Sequence, residues 1–221
     1  MLKIINLEAT TLEDAWFQAL YNIADHGRKF KIDKGSYENQ YRLEFDYINI
    51  LIKKPEIRPL LPKIPNQYNI PDPVTEEYLN NYITYLMTDI KHNNEDYTYG
   101  ERIVLQLDKI INTYKNHGYR NNQMILQIGQ PLDIDLVDPP CLRQIDTRIQ
   151  DGYLHFYIYF RSWDLFNGFP ANLAGIQILK EYMCELIGND IKPGVSYVSS
   201  KGLHVYDYVF EIVDILRGKK K

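Results

Sequence analysis

The segment that most constrains this chain is Tyr153-Leu-His-Phe-Tyr-Ile-Tyr-Phe160, apolar or aromatic on both of its alternating faces. Such a run predicts a strand in a sheet that is covered on both sides. A second run, Leu142 to Ile149, precedes it, with Asp151-Gly152 between the two. That dipeptide predicts a two-residue hairpin, because both central positions of the turn need positive φ.

Helical signals surround this hairpin. Thr11 is followed by Asp14 in capping-box order, with Asp in place of Glu, and Trp16, Ala19, Leu20 and Ile23 recur at helical spacing until Gly27. Leu43, Phe45 and Tyr47 then alternate with polar residues before the apolar set changes phase to Ile48, Ile50 and Ile52. A β-bulge near Tyr47 accounts for that slip. Six of the eleven prolines fall between Pro55 and Pro73, which reads as an extended, surface-hugging connection. Thr75 caps a second helix running towards Asp89, and Ile103, Leu107, Ile110, Ile111 and Tyr114 mark the stripe of a third. Met124, Leu126 and Ile128 alternate as a strand. A helix is expected from about Ala171 to Ile187, ending at Gly188, then short strands around Val195 and His204 and a last helix to Arg217. Lys219 to Lys221 read as a frayed tail. There is no internal repeat and no long polar linker. The reading is α+β, a mixed sheet covered by helices, in one domain over residues 1–221.

Composition sets the boundaries of function. With 221 residues, 45% hydrophobic and 24% charged, the chain has material for a substantial core, which excludes disorder over most of its length. A net charge of −4 gives no global basic field, so nucleic acid is not expected as the main ligand. No apolar run reaches the roughly 18 residues of a membrane span. Two cysteines cannot form a disulfide framework at this size, and no secretory pattern opens the chain. The expectation is a reducing, cytoplasmic setting. The five histidines show no metal-ligand spacing, and no metal is expected.

Three groups carry potential chemistry. Cys141 follows Pro139-Pro140 at the mouth of the hairpin, with Arg143, Arg148 and Arg161 near in sequence or across it; it is either a small packing residue or a nucleophile. Cys184, beside Met183 in a helix, reads as packing. Arg161-Ser162-Trp163-Asp164 ends the aromatic strand, and Asn167 to Asn172 lead into a helix, which suits either a surface ion pair or a phosphate site. His204 and Tyr206 lie on one face of a short strand.

Taken together these groups have an order. Pro140-Cys141, then Arg161-Ser162-x-Asp164 twenty positions on, then Gly168-x-Pro170-x-Asn172, then His204-x-Tyr206, resembles the signature of thymidylate synthases and pyrimidine hydroxymethylases. Tyr99-Gly100 looks like the Tyr-Gly before that family's long helix, and Arg120 sits near its interface arginines. The resemblance covers about Tyr97 to Tyr206, is weak before residue 95, and is most like the short archaeal thymidylate synthases. It implies a thymidylate synthase-like fold, a homodimer and dUMP as substrate. The cofactor it implies is 5,10-methylenetetrahydrofolate or a methylene-tetrahydropterin analogue. The implied reaction is reductive methylation of dUMP to dTMP through a covalent Cys–pyrimidine intermediate. A dUMP or dCMP hydroxymethylase, or a non-catalytic nucleotide-binding homologue, is the alternative.

By the same resemblance Cys141 is the nucleophile, with Arg161 lowering its pKa. Arg161 and Ser162 hold the 5′-phosphate, Asp164 faces the pterin, and His204 and Tyr206 hold the ribose hydroxyl. Asn172 reads the base, its amide favouring uracil over cytosine. Glu76 or Glu77 is the candidate general acid/base. The chain departs from the family at Phe160 (for Gln), Leu142 (for His), Gly202 (for Asp) and Asn121 (for the second interface arginine). It ends in lysines where the family has an apolar closing segment.

Overall fold

The computed structural model describes residues 1–34, 37–93 and 95–219. Its elements in chain order are β1 (Ile4–Ala9), α1 (Leu12–His26), β2 (Arg28–Lys31), β3 (Tyr41–Glu44), β4 (Tyr47–Ile52), α2 (Glu76–Met87), α3 (Tyr99–His117), β5 (Ile125–Gln127), β6 (Leu142–Gln150), β7 (Tyr153–Phe160), β8 (Trp163–Asp164), α4 (Gly168–Ile187), β9 (Lys192–Ser200), β10 (Leu203–Tyr206) and α5 (Phe210–Arg217). The fold is α+β, as the patterning predicts.

A six-stranded mixed sheet has the order β1-β4-β9-β7-β6-β5, and a four-stranded sheet has the order β2-β3-β10-β8. Three neighbouring strands of the large sheet, β4, β9 and β7, connect to three neighbouring strands of the small one, β3, β10 and β8. Each connection is two residues long: Phe45-Asp46, Lys201-Gly202 and Arg161-Ser162. The change of phase near Tyr47 is therefore no bulge. It is a bend at which a three-stranded ribbon leaves one sheet for the other, so inward-facing positions are reset on crossing. Backbone bonds continue through the bend, from Phe45 N–H to Leu203 O (3.0 Å) and from Trp163 N–H to Gly202 O (2.9 Å).

The hairpin forms as its turn dictates. Asp151 and Gly152 have φ of 53° and 81°, and β6 pairs antiparallel with β7 from Gln150↔Tyr153 to Leu142↔Phe160. One face of β7, Leu154, Phe156, Ile158 and Phe160, is buried in the core. The other is not covered: Tyr153, Tyr157 and neighbouring Tyr197 keep 44%, 40% and 36% exposure. The aromatic run thus overstated coverage, because tyrosine hydroxyls allow a half-exposed face that the letters alone do not separate from a buried one.

The helices follow their stripes and caps. Thr11, Thr75 and Thr98 accept from the backbone N–H of Asp14, Tyr78 and Glu101, starting α1, α2 and α3. Trp16 is fully buried and donates Nε1–H to Leu165 O at 2.9 Å, tying α1 to the segment after β8. Truncating such a side chain costs about 3–5 kcal/mol. Leu60, Leu61 and Ile64 anchor the proline-rich connection in the core. Lys180 is buried on α4 and donates to Gly194 O (2.9 Å) and Ser196 Oγ (2.7 Å), beside the place where the β7–β9 register shifts. Burial brings its pKa down to about 7. Lys219, expected to fray, bonds Ala24 O and Asp25. Lys220 and Lys221 lie outside the described residues.

Candidate active site

The bend places one cleft, of about 640 Å³, at the junction of the two sheets. Cys141 reaches it from the start of β6, Arg161, Ser162 and Asp164 from the end of β7 and from β8, Asn172 from the first turns of α4, and His204 and Tyr206 from β10. Seven of the eight expected site residues therefore line one cleft. Arg120 does not; it is exposed and lines a separate cavity with Tyr119 and Arg148, at the far end of the hairpin.

Cys141 is half-buried, and its carbonyl accepts from Arg161 N–H at 2.9 Å, which fixes the start of β6 against the end of β7. Burial pushes the thiol pKa up. Arg161 and Arg143 pull it back and Asp138 pushes it up again, so the net direction is upward. Arg161 alone does not produce the lowered thiol that its neighbourhood in sequence suggests. Its guanidinium donates to Pro139 O and, at 3.2 Å, to Pro140 O, and pairs with Asp138 at 3.4 Å. Those bonds direct it across the turn that carries Cys141.

Asp164 accepts from the N–H groups of Phe166, Asn167 and Gly168 at 3.0, 3.4 and 3.3 Å, which organises the entry to α4. Burial still raises its pKa. Four residues into that helix, Asn172 Oδ1 accepts from Trp163 Nε1–H at 2.8 Å. An indole N–H only donates, so the amide has one orientation. Trp163 is held in turn by stacking on Phe160 (centroids 4.0 Å apart, 2° between planes) and by Phe169 at 4.5 Å.

On the small sheet, the register puts Asp164, His204 and Glu44 in one row and Tyr206 and Arg42 in the next, all on one face. His204 is buried and its pKa is brought down to about 4 by burial, so the ring is neutral. Its Nδ1 lies 2.8 Å from Gly202 O, which assigns the proton to Nδ1 and makes Nε2 an acceptor. Arg42 Nη2 and Glu44 Oε2 pair at 2.8 Å, while Arg42 Nε and His204 Nε2 are buried with no hydrogen-bond partner. Two unsatisfied polar atoms on residues lining the cleft are contacts a polar ligand can complete.

Sequence reasoning missed several lining residues, Arg42, Tyr37 and Lys34 from the small-sheet side and Tyr82 and Tyr85 on α2, and gave no site role to Tyr99, which it quoted only in the Tyr99-Gly100 motif. The spacing Tyr78, Tyr82, Tyr85 is an aromatic stripe that could have been read. Glu76 and Glu77 are not in the cleft. Both are exposed at the start of α2, and Glu76 lines a different groove with Arg58. A second cavity of about 360 Å³ is lined by Tyr78, Asn81, Tyr82, Tyr85, Tyr99 and Asn172. It shares Tyr99 and Asn172 with the Cys141 cleft. Its aromatic walls and polar tips fit a flat heteroaromatic ring.

The thymidylate synthase family model matches residues 75–220. The chain belongs to the thymidylate synthase family. Proteins named "Putative thymidylate synthase" are similar over most of its length. The one from Methanosarcina barkeri is 30% identical, covering 96% of this chain and 94% of its own. That from Methanosarcina mazei is 29% identical with the same coverage, and that from Methanopyrus kandleri is 26% identical over 89% and 90%. The family binds dUMP and a methylene-tetrahydrofolate-type cofactor. Among the described residues no helix is long and apolar enough to cross a membrane, and no group of His, Cys, Asp and Glu side chains is arranged to hold a metal ion.

Proposed function

We propose that this protein converts dUMP to dTMP by reductive methylation, with Cys141 as the nucleophile, in a single thymidylate synthase-type domain over residues 1–221. The observation that carries the reading is the convergence of Cys141, Arg161, Asn172 and His204 on one cleft. C5 of uracil is a poor nucleophile. When the Cys141 thiolate adds to C6, the C5=C6 electron pair is released towards C4=O4, and C5 gains the reactivity it lacks. Arg161 and Ser162 bind the 5′-phosphate. The neutral His204 accepts a sugar O–H at Nε2, with Tyr206 beside it. Asn172, locked by Trp163, donates Nδ2–H to O4 and accepts N3–H at the second lone pair of Oδ1; cytosine presents the reverse pattern. Asp164 acts mainly by ordering the entry to α4. A methylene-tetrahydropterin, folate or an analogue, supplies the carbon and the hydride when bound, and Tyr78, Asn81 and Tyr85 are the residues that would hold it.

The same reading makes the enzyme a cytoplasmic homodimer. The half-exposed face bearing Tyr157 and Tyr197 suits burial against a second copy, and Arg120, distant from its own Cys141, is available to the partner's cleft. A monomer in sedimentation at micromolar concentration refutes that part. For the chemistry, 5-fluoro-dUMP with methylene donor is expected to add its mass to the intact denatured protein, and to do so no longer after Cys141→Ala. With dUMP tritiated at C5, tritium release with dTMP supports the reading. Hydroxymethyl-dUMP in place of dTMP shows that water captures the intermediate, and binding of dUMP with no adduct shows a non-catalytic homologue.

A further inference from the structure

Within the cleft, Asp164 lies close to Asn172, a Cβ at Gly168 falling 3.4 Å from Asp164 Cβ and 3.7 Å from Asn172 Oδ1. The acidic residues lining the Cys141 cleft are Asp138 and Asp164, and Asp164 is committed to three backbone amides. Glu76 and Glu77 project from the start of α2 into solvent. Further along that helix, Tyr82 points inward. Its hydroxyl is buried and lies against the Asn172 side chain without completing a hydrogen bond of normal geometry. An unpartnered buried hydroxyl costs about 1–3 kcal/mol, so a fold that retains one at a ligand cavity keeps it for a ligand.

The ring is also seated on purpose-made ground. Gly175 lies on α4 one turn after Asn172, and a Cβ there would come within 2.8 Å of Tyr82 Cδ1 and Cε1. The missing side chain lets the ring close up against the helix with its hydroxyl beside Asn172. Gly100 fixes the other end of α2 in the same way, since a Cβ there would collide with the Thr88 backbone.

We propose that the Tyr82 hydroxyl donates a hydrogen bond to O4 of the pyrimidine beside Asn172, and is a catalytic residue that stabilises the enolate formed when Cys141 adds to C6. This rests on the thymidylate synthase reading above. In the step, the thiolate lone pair becomes the S–C6 bond, the C5=C6 π pair becomes C4=C5, and the C4=O4 π pair moves onto O4. The negative charge leaves sulfur and arrives on O4, where two N–H or O–H donors meet it. No proton is transferred and no further reactant is needed. Burial and the neighbouring Tyr85 hold the phenol pKa well above its ordinary value, so the hydroxyl stays a donor throughout the neutral range.

Tyr82→Phe tests this, because it removes the hydroxyl and keeps the ring over Gly175. Removing an unpartnered hydroxyl leaves the melting temperature unchanged or raised. Expected is a fall in the rate of tritium release from C5-tritiated dUMP by about 10²–10³-fold, the loss typical of one oxyanion donor, with Kd for dUMP within about threefold. A rate within threefold of wild type in a normally melting variant overturns the proposal. So does an equal loss in Kd and rate, which marks a uniform binding contact. If wild type forms no adduct with 5-fluoro-dUMP, the underlying reading falls and this one with it, an outcome read on the wild-type protein and so distinct from the first two, which are read on the variant.

Discussion

Trp163→Phe is expected to erode the discrimination between dUMP and dCMP without emptying the site. In the wild-type protein, turning the Asn172 amide over would place its NH₂ against the Trp163 indole N–H, now 2.8 Å from Oδ1. That loses one hydrogen bond, about 1 kcal/mol net, and leaves a buried donor unpaired at about 1–3 kcal/mol. The flipped amide, the one that suits cytosine, is thus disfavoured by about 2–4 kcal/mol, or roughly 30- to 1000-fold. Phenylalanine keeps the stack on Phe160 and removes the donor, so the two orientations approach equal energy on that side. Binding of dUMP weakens by only about twofold, the entropy of a second orientation, while dCMP gains at least about tenfold. Titration calorimetry with each nucleotide measures both. A dUMP:dCMP ratio unchanged within twofold, in a variant that melts cooperatively, refutes the reasoning and removes Asn172 orientation as the source of selectivity.

Two further outcomes follow from the electrostatics. Asp138→Asn removes the anion that pushes the Cys141 thiol up while leaving the arginines that pull it down, so alkylation by iodoacetamide near neutral pH should accelerate several-fold; no acceleration shows that Asp138 does not act on the thiol. His204 is neutral in the fold, with its pKa brought from 6.5 to about 4 by burial. A depressed histidine contributes stability that is present above pH 6.5 and is lost as pH falls through that value towards 4, about 3 kcal/mol in all. His204→Gln should flatten urea-unfolding stability across that window relative to wild type, and an identical slope in both proteins refutes the assignment.

What was legible in the chain was what acts locally. Caps at Thr11 and Thr75, stripes such as Ile103 to Tyr114, and the Asp151-Gly152 turn specify their elements within a few residues. The motif residues sit at element ends, Cys141 just before β6, Arg161 on a two-residue corner and Asn172 in the first turns of α4, so order and spacing identify them. The rest depends on contacts between distant segments. Ile4–Ala9 forms a strand because it pairs parallel with β4, more than forty residues on, and only Ile5 and Ala9 of it are buried, too sparse a signal to read. Tyr82 meets Asn172 because two helices pack, and the readable stripe Tyr78, Tyr82, Tyr85 does not say that Tyr82 turns inward while Tyr78 stays exposed. Glu76 and Glu77 had the right chemistry on the wrong side of α2. The phase change near Tyr47 was visible, but bulge and bend look alike until the partners of both strands are known.

The bend has a consequence for how this site can vary. Three strands crease along one line, and Arg161-Ser162 and Gly202 lie on it. A Cβ at Gly202 would come within 3.2 Å of Arg161 O, so a side chain there makes the neighbouring strand give by a few tenths of an ångström, while Glu44 Oε2 stays in ordinary contact at 3.6 Å. Positions on the crease therefore answer to two demands together, the folding of the ribbon and the grip on the nucleotide's anionic end. Change in specificity is open instead to the flanks, to α2 and to the segment before β3, where a residue can be exchanged without unfolding the hinge line on which the rest is hung.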